Sequence, residues 1–280
     1  MALPFIVVDQ NYLRDEQLLS ECIARANINN EFIILADTAF VEMMKNPNWK
    51  YTVQQSLKVL AKYPESVLVA YSCGKLLRME RNSGIPQFDI VDRIGTLHVQ
   101  RILYEINKGM TTFLDSLEKD VLEAQAMAYE QQLNHSENRK YVAASIEFWK
   151  SSLPNSAIKQ LRKGDRNLFQ ELLTMPFLSK MCYFSMISLG WSEDAAKHLV
   201  SCPSASSHNF LCIAARGLKY IAKGGFESIR DKHITNAVAD LDYLFTATFC
   251  RELLTKENDL RELYEDVCVA LAKKWTEKIV

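Results

Sequence analysis

Apolar and polar positions follow two different rhythms along this chain. Phe5-Ile6-Val7-Val8 is an unbroken apolar, β-branched run closed by Asp9, the pattern of a strand buried on both faces of a parallel sheet. Leu13 and then Leu18, Leu19, Cys22, Ile23 and Ala26 recur at helical spacing until the Asn-rich stretch from Asn27 to Asn30. The alternation repeats. Phe32-Ile33-Ile34-Leu35-Ala36 ends on Asp37, and Thr38 is placed to cap a helix from Ala39 to Lys45. A helical stretch around Val53, Leu57, Val59 and Leu60 leads to a third run, Ser66 to Tyr71. Three such strands with helical crossovers predict an α/β domain with a parallel sheet.

From about Gly95 to Lys223 the rhythm is helical throughout, with stripes such as Val99, Ile102, Leu103, Ile106 and Phe113, Leu114, Leu117, Val121, Leu122. Gly109, Asn134 to Asn138, Pro154, Gly164, Pro176, Gly190 and Pro203 cut it into about seven helices. After Gly224-Gly225 the pattern predicts a helix from Thr235 to Phe245, a short strand at Thr246 to Cys250 or at Leu253-Leu254, and a last helix from Asp259. Residues 1–94 and 226–280 therefore read as one α/β domain, and 95–225 as an all-helical insertion.

Composition agrees with long helices: only 9 Gly and 7 Pro occur in 280 residues. Lys and Arg (33) balance Asp and Glu (34), so no global basic field marks a nucleic-acid binder and any such contact is local. The seven cysteines are dispersed without a C-x-x-C pair, which reads as reduced thiols. The opening MALPFIVVDQ has a short apolar run that ends on an acid and no basic leader, too short for a signal peptide or a membrane span, giving the expectation of a cytoplasmic protein with no membrane partner.

Ligands of parallel sheets bind beyond the carboxyl ends of the strands. The acids placed to reach that edge are Asp9, Glu42 on the helix after the second strand, and Asp240, Asp242, Glu257 and Asp259 around the last strand. Carboxylates gathered at one edge repel each other unless a hard cation such as Mg²⁺ or Mn²⁺ neutralises them.

Asp9-Gln10-Asn11-Tyr12-Leu13 resembles the D-x-N-x-L opening of PIN-domain nucleases. Thr38-Ala39-Phe40-Val41-Glu42 is similar to the segment carrying that family's second acid. Asp240-Leu241-Asp242-Tyr243-Leu244 and Leu254-Thr255-Lys256-Glu257-Asn258-Asp259-Leu260 resemble its third-acid helix and its closing T-x-D-x-D-L stretch. Glu257 stands where the family has Asp, and either Asp240 or Asp242 fits the third acid. The resemblance covers residues 4–75 and 230–270 and implies a three-layer PIN-like domain. It implies metal-dependent hydrolysis of RNA, with Asp9, Glu42, Asp240, Asp242 and Glu257 catalytic, these and Asp259 holding Mg²⁺ or Mn²⁺, and Asn11 and Thr255 in support. Asn11 alternatively caps the following helix. A non-catalytic scaffold acting through the helical block is the alternative, with a protein partner or a second copy of the chain as its counterpart.

Other chemistries lack their residues. The histidines (His98, His135, His198, His208, His233) form no i, i+4 pair, and no phosphate-loop, dinucleotide or nucleophile-elbow motif occurs. Arg139, Lys140, Lys150, Lys159, Arg162, Lys163 and Arg166, interleaved with Tyr141, Phe148 and Trp149, form a stretch able to hold phosphates and stack bases, or else the solvated faces of two helices. Asp165 reads as a helix cap.

Overall fold

A computed structural model of the chain describes residues 2–123, 125, 135–174, 176–225 and 231–276; the side chains of residues 135–139, 141, 176–177, 231–238 and 274–276 lie outside the description. The chain divides into two compact units. Residues 1–72, 90–134 and 249–261 form the first, and 73–89, 135–248 and 262–280 the second. The hydrophobic pattern placed its boundaries at 94/95 and 225/226 instead. Segment 73–89 joins the helical residues, and residues 95–134 stay with the sheet.

The first unit is mixed α/β around a four-stranded, all-parallel sheet. In chain order it contains β1 (Leu3–Val8), α1 (Gln10–Leu13), α2 (Glu16–Asn29), β2 (Phe32–Leu35), α3 (Asp37–Met44), α4 (Trp49–Leu57) and β3 (Val67–Val69). The strand order is β3-β2-β1-β4, with β4 at Cys250–Leu254. Ile6, Val7 and Val8 of β1 and Ile33, Ile34 and Leu35 of β2 are fully buried, as unbroken apolar runs require in a sheet covered on both faces. α2 packs on β2, and α6 (Arg93–Asn107) on β3. The expected strands are present. The helix from Leu13 is two helices, because Asp15 caps a new start by accepting from Leu18 N–H at 3.1 Å. α3 begins at Asp37, so Thr38 lies inside the helix and is not its cap.

In the second unit, α5 (Cys73–Ser83), α8 (His135–Ser152), α9 (Asn155–Arg162), α10 (Arg166–Thr174), α11 (Pro176–Ser188), α12 (Glu193–Val200) and α14 (Asp231–Ala247) surround or adjoin α13 (Ala205–Ala222). The short helix α7 (Thr112–Ser116) belongs to the first unit, and α15 (Asn258–Thr276) has its first turn there and the rest in the second. Helix α13 is buried on most of its circumference, which its Ala, Ser, Cys and Gly content permits. A Cβ on Gly217 would stand 2.9 Å from Ser145 Oγ and 3.0 Å from Ser145 O, so glycine lets α8 and α13 approach closely. Between residues 95 and 223 the described residues contain no strand, as the periodicity predicts. No described helix is long and apolar enough to cross a membrane.

Candidate functional site: a row of carboxylates at the sheet edge

From β1 the chain steps to β2 and β3 on one side, whereas β4 pairs with β1 on the other. The strand order therefore reverses between β1 and β4, the switch point beside which open parallel sheets bind ligands. Asp9 and Thr255 each stand one residue past the paired Val8 and Leu254, on the two sides of that point.

Asp9 is 4 % exposed. Its Oδ1 accepts from Tyr12 N–H at 2.7 Å, which makes it the N-cap of α1, and its Oδ2 accepts from the Thr255 hydroxyl at 2.6 Å. Thr255, itself buried, also accepts from Glu257 N–H at 3.0 Å, and Asn11 Nδ2 donates to Glu257 Oε1 at 3.3 Å. The structure thus brings Asp9, Asn11, Thr255 and Glu257 together, and Asn11 holds Glu257 where the sequence also allowed a helix cap. Burial raises the Asp9 carboxyl above its ordinary range; the Thr255 hydroxyl, the backbone N–H groups and the charge of Lys256 oppose this but do not outweigh it. Beside Asp9, Gln10 is 6 % exposed and its Nε2 is buried with no hydrogen-bond partner among the described residues, an open donor for water or a ligand oxygen.

Two further carboxylates extend the row. Asp37 opens α3 just past the end of β2. Val91 bridges to Ala70 just past β3, and Asp92 N–H donates to Val69 O at 2.8 Å, which ties Asp92 to the end of that strand. Asp92 caps α6 by accepting from Gly95 N–H at 3.0 Å. The Asp37 carboxyl is raised by desolvation first and by the negative charge of Asp92 second. Asp37 has substantial solvent exposure, yet the protein mass around the edge still desolvates it. Asp92, Asp37, Asp9 and Glu257 thus follow the strand order β3-β2-β1-β4. Neighbouring strands are about 4.8 Å apart, so this row spans about 14 Å.

Asp37 and Asp92 were not among the acids singled out from the sequence. Their one legible sign was position, each an acid following a short apolar run and opening a helix. Glu42 lies half-buried in the second turn of α3, and Asp259 is exposed in the first turn of α15. Asp240 and Asp242 belong to the second unit. There Asp240 accepts from Arg216 Nη2 at 3.0 Å, both side chains being largely buried, and Asp242 lies close enough to Cys73 for its charge to help raise that thiol.

The donors of the edge row are hard oxygens, suited to Mg²⁺ or Mn²⁺. Among the described residues no group of three or more His, Cys, Asp or Glu side chains is arranged to hold an ion. Mg²⁺ keeps several waters and needs only one or two carboxylates, so the edge fits a largely hydrated Mg²⁺ or Mn²⁺ and does not fit an ion caged by protein.

The basic stretch of α8 to α10 is built differently from a base-stacking surface. Trp149 is 0 % exposed and donates from Nε1 to Ala214 O at 2.8 Å, so it is core. Lys150 pairs with Glu147, and Arg166 with Glu265 and Asp266, each Arg166 contact at 2.9 Å. Asp165 caps α10 through Leu168 N–H at 3.0 Å. The side chains of Arg139, Tyr141, His135 and His233 lie outside the described residues. Compared with known proteins, the chain matches no family, no curated relative and no solved structure.

Proposed function

We propose that the α/β unit is a PIN-like nuclease module that hydrolyses RNA with the help of Mg²⁺ or Mn²⁺, with Asp9 as its central carboxylate. One observation carries the reading: Asp9 is buried at the switch point of the parallel sheet and held in a single orientation by Thr255 and Tyr12 N–H. Its oxygens accept from Tyr12 N–H and the Thr255 hydroxyl, and a carboxylate has about four lone-pair sites, which leaves capacity for an ion or its water. Asp37 and Asp92 add negative charge along the same edge, and Asn11 orients Glu257. When bound, a divalent cation there would lower the pKa of a water it carries and offset charge on the scissile phosphate. Gln10 would donate to a phosphate oxygen or to that water through the Nε2 that lacks a partner.

The test is cleavage of a mixed single-stranded RNA pool by the full chain in Mg²⁺ or Mn²⁺. Asp9→Asn and Glu257→Gln should each abolish or strongly reduce cleavage while the circular dichroism spectrum is unchanged. Equal rates for wild type and Asp9→Asn would overturn the reading.

The absence of a three-ligand group among the described residues favours a second reading, a non-catalytic PIN-like scaffold. It expects no cleavage of any RNA and no change in the Asp9 or Asp37 carboxyl resonances on adding Mg²⁺.

A further inference from the structure

The helical unit contains a half-enclosed cavity of about 500 Å³, and the described residues that line it all belong to that unit. Its walls come from α5, α8, α11 and α13 and the turn after α11, through Leu77, Phe148, Met186, Trp191, Phe210 and Ile213. Its volume falls in the range of small-molecule sites, roughly 300–1,000 Å³.

The polar atoms of the lining narrow the class of occupant. Among the described residues no charged side chain lines the cavity. A charged ligand would therefore lose its hydration without compensation. Ser145 Oγ already donates to Val142 O at 2.9 Å, and Ser206 Oγ to Glu80 Oε2 at 2.6 Å. The side-chain donors of Ser185, Trp191 and Asn209 have no partner among the described residues, and of these Asn209 is the one held in a fixed orientation. Its Oδ1 accepts from Cys73 Sγ at 3.4 Å, which orients the amide, and its Nδ2 has no partner among the described residues. The lining thus offers aromatic and aliphatic walls with an oriented donor group.

We infer that this cavity is a binding site for a small, neutral, largely apolar molecule that carries a hydrogen-bond acceptor such as a carbonyl, which Asn209 Nδ2 engages. The site is separate from the carboxylate row and does not depend on nuclease activity.

Titration calorimetry of the full chain with naphthalene and with 2-acetonaphthone, which adds one carbonyl to the same ring system, tests this. Saturable binding of one molecule per chain is expected, with the ketone favoured by about tenfold, the effect of one net hydrogen bond. Asn209→Leu should reduce that preference to less than about threefold while naphthalene still binds. Ala144→Trp places a large side chain at the mouth from an exposed position, so it should leave the melting temperature unchanged and weaken both ligands by at least about tenfold. Non-saturable binding, an Ala144→Trp variant that binds as wild type does, or a ketone preference that survives Asn209→Leu overturns the proposal. So does sedimentation showing self-association that Ala144→Trp abolishes, which would make a second copy the occupant.

Discussion

The two units treat their carboxylates in opposite ways. In the helical unit, Glu80 is fully buried yet accepts from Gln87 N–H at 2.9 Å, Ala205 N–H at 2.7 Å, Ser206 N–H at 2.8 Å and the Ser206 hydroxyl at 2.6 Å. Asp240 faces Arg216, and Asp266 accepts from Arg166 and Gln170. These acids are compensated in place, as buried charges must be. At the sheet edge, Asp9 has two strong hydrogen bonds and its carboxyl is still raised, while Asp37 stands in the field of Asp92. A fold that can satisfy Glu80 so completely does not need such an edge for stability. Charge left poorly compensated at a ligand-binding edge is the usual sign of a functional site.

That contrast is broken most severely at Glu80. Glu80→Ala leaves the N–H groups that open α13 and the N–H of Gln87 without their acceptor, and should destabilise the helical unit by about 4 kcal/mol in urea unfolding. Glu80→Gln keeps one acceptor oxygen and should be milder. Next comes Arg216→Met, which removes the guanidinium paired with the largely buried Asp240 and should destabilise by about 3 kcal/mol; adding Asp240→Leu should recover most of that. A negligible effect of Arg216→Met would mean that the pair does not hold Asp240 for structural reasons.

How far the sequence reveals this contrast depends on how local each feature is. Strands β1 and β2 are legible because burial on both faces demands continuous apolar runs. Strand β4 is not, because it lies at the sheet edge and two charged residues interrupt its apolar run: Arg251 is exposed, and Glu252 pairs with Arg25 at 2.5 Å. That interruption splits the apolar signal into two short pieces, and so leaves two placements open for it. Asp9 is legible because its partners Tyr12 and Thr255 lie within recognisable motifs. The Asp37–Asp92 pair depends on the bridge between Ala70 and Val91, which no local pattern encodes. Glu80 reads as one more charge on a polar helix, since its acceptor role is fixed by residues 125 and 126 positions away.

Asp9→Asn sharpens the comparison with a smaller change. Asn is as good an N-cap as Asp, and the Thr255 hydroxyl can accept from an amide. The Asp9 carboxyl is raised in the folded state, so its ionised form opposes folding at neutral pH. Removing the charge should therefore leave the melting temperature unchanged or raise it, even as RNA cleavage is lost. A marked fall in stability would make Asp9 a structural acid like Glu80.

The smallest effect is expected at Asp92→Asn, and it isolates the electrostatics of the edge. Asn keeps the cap on α6, so global stability should change by less than about 1 kcal/mol. Asp37, released from the negative charge of Asp92, should titrate lower, toward the ordinary aspartate value of 3.8, as read from its carboxyl ¹³C shift. Because the Asp37 carboxyl is raised, folding binds its proton more tightly than the unfolded chain does. Its contribution to stability is thus fully present below the ordinary aspartate range and lost as pH rises through the folded value. Asp92→Asn should shrink that loss, flattening the decline in stability over the acidic range where Asp37 ionises. Mg²⁺ bound at the edge should lower the Asp37 midpoint in the wild type for the same reason, since a cation favours the ionised form. An Asp37 midpoint that ignores both Asp92→Asn and Mg²⁺ would show that the edge acids do not share a field, and the difference between the two units would then reduce to burial alone.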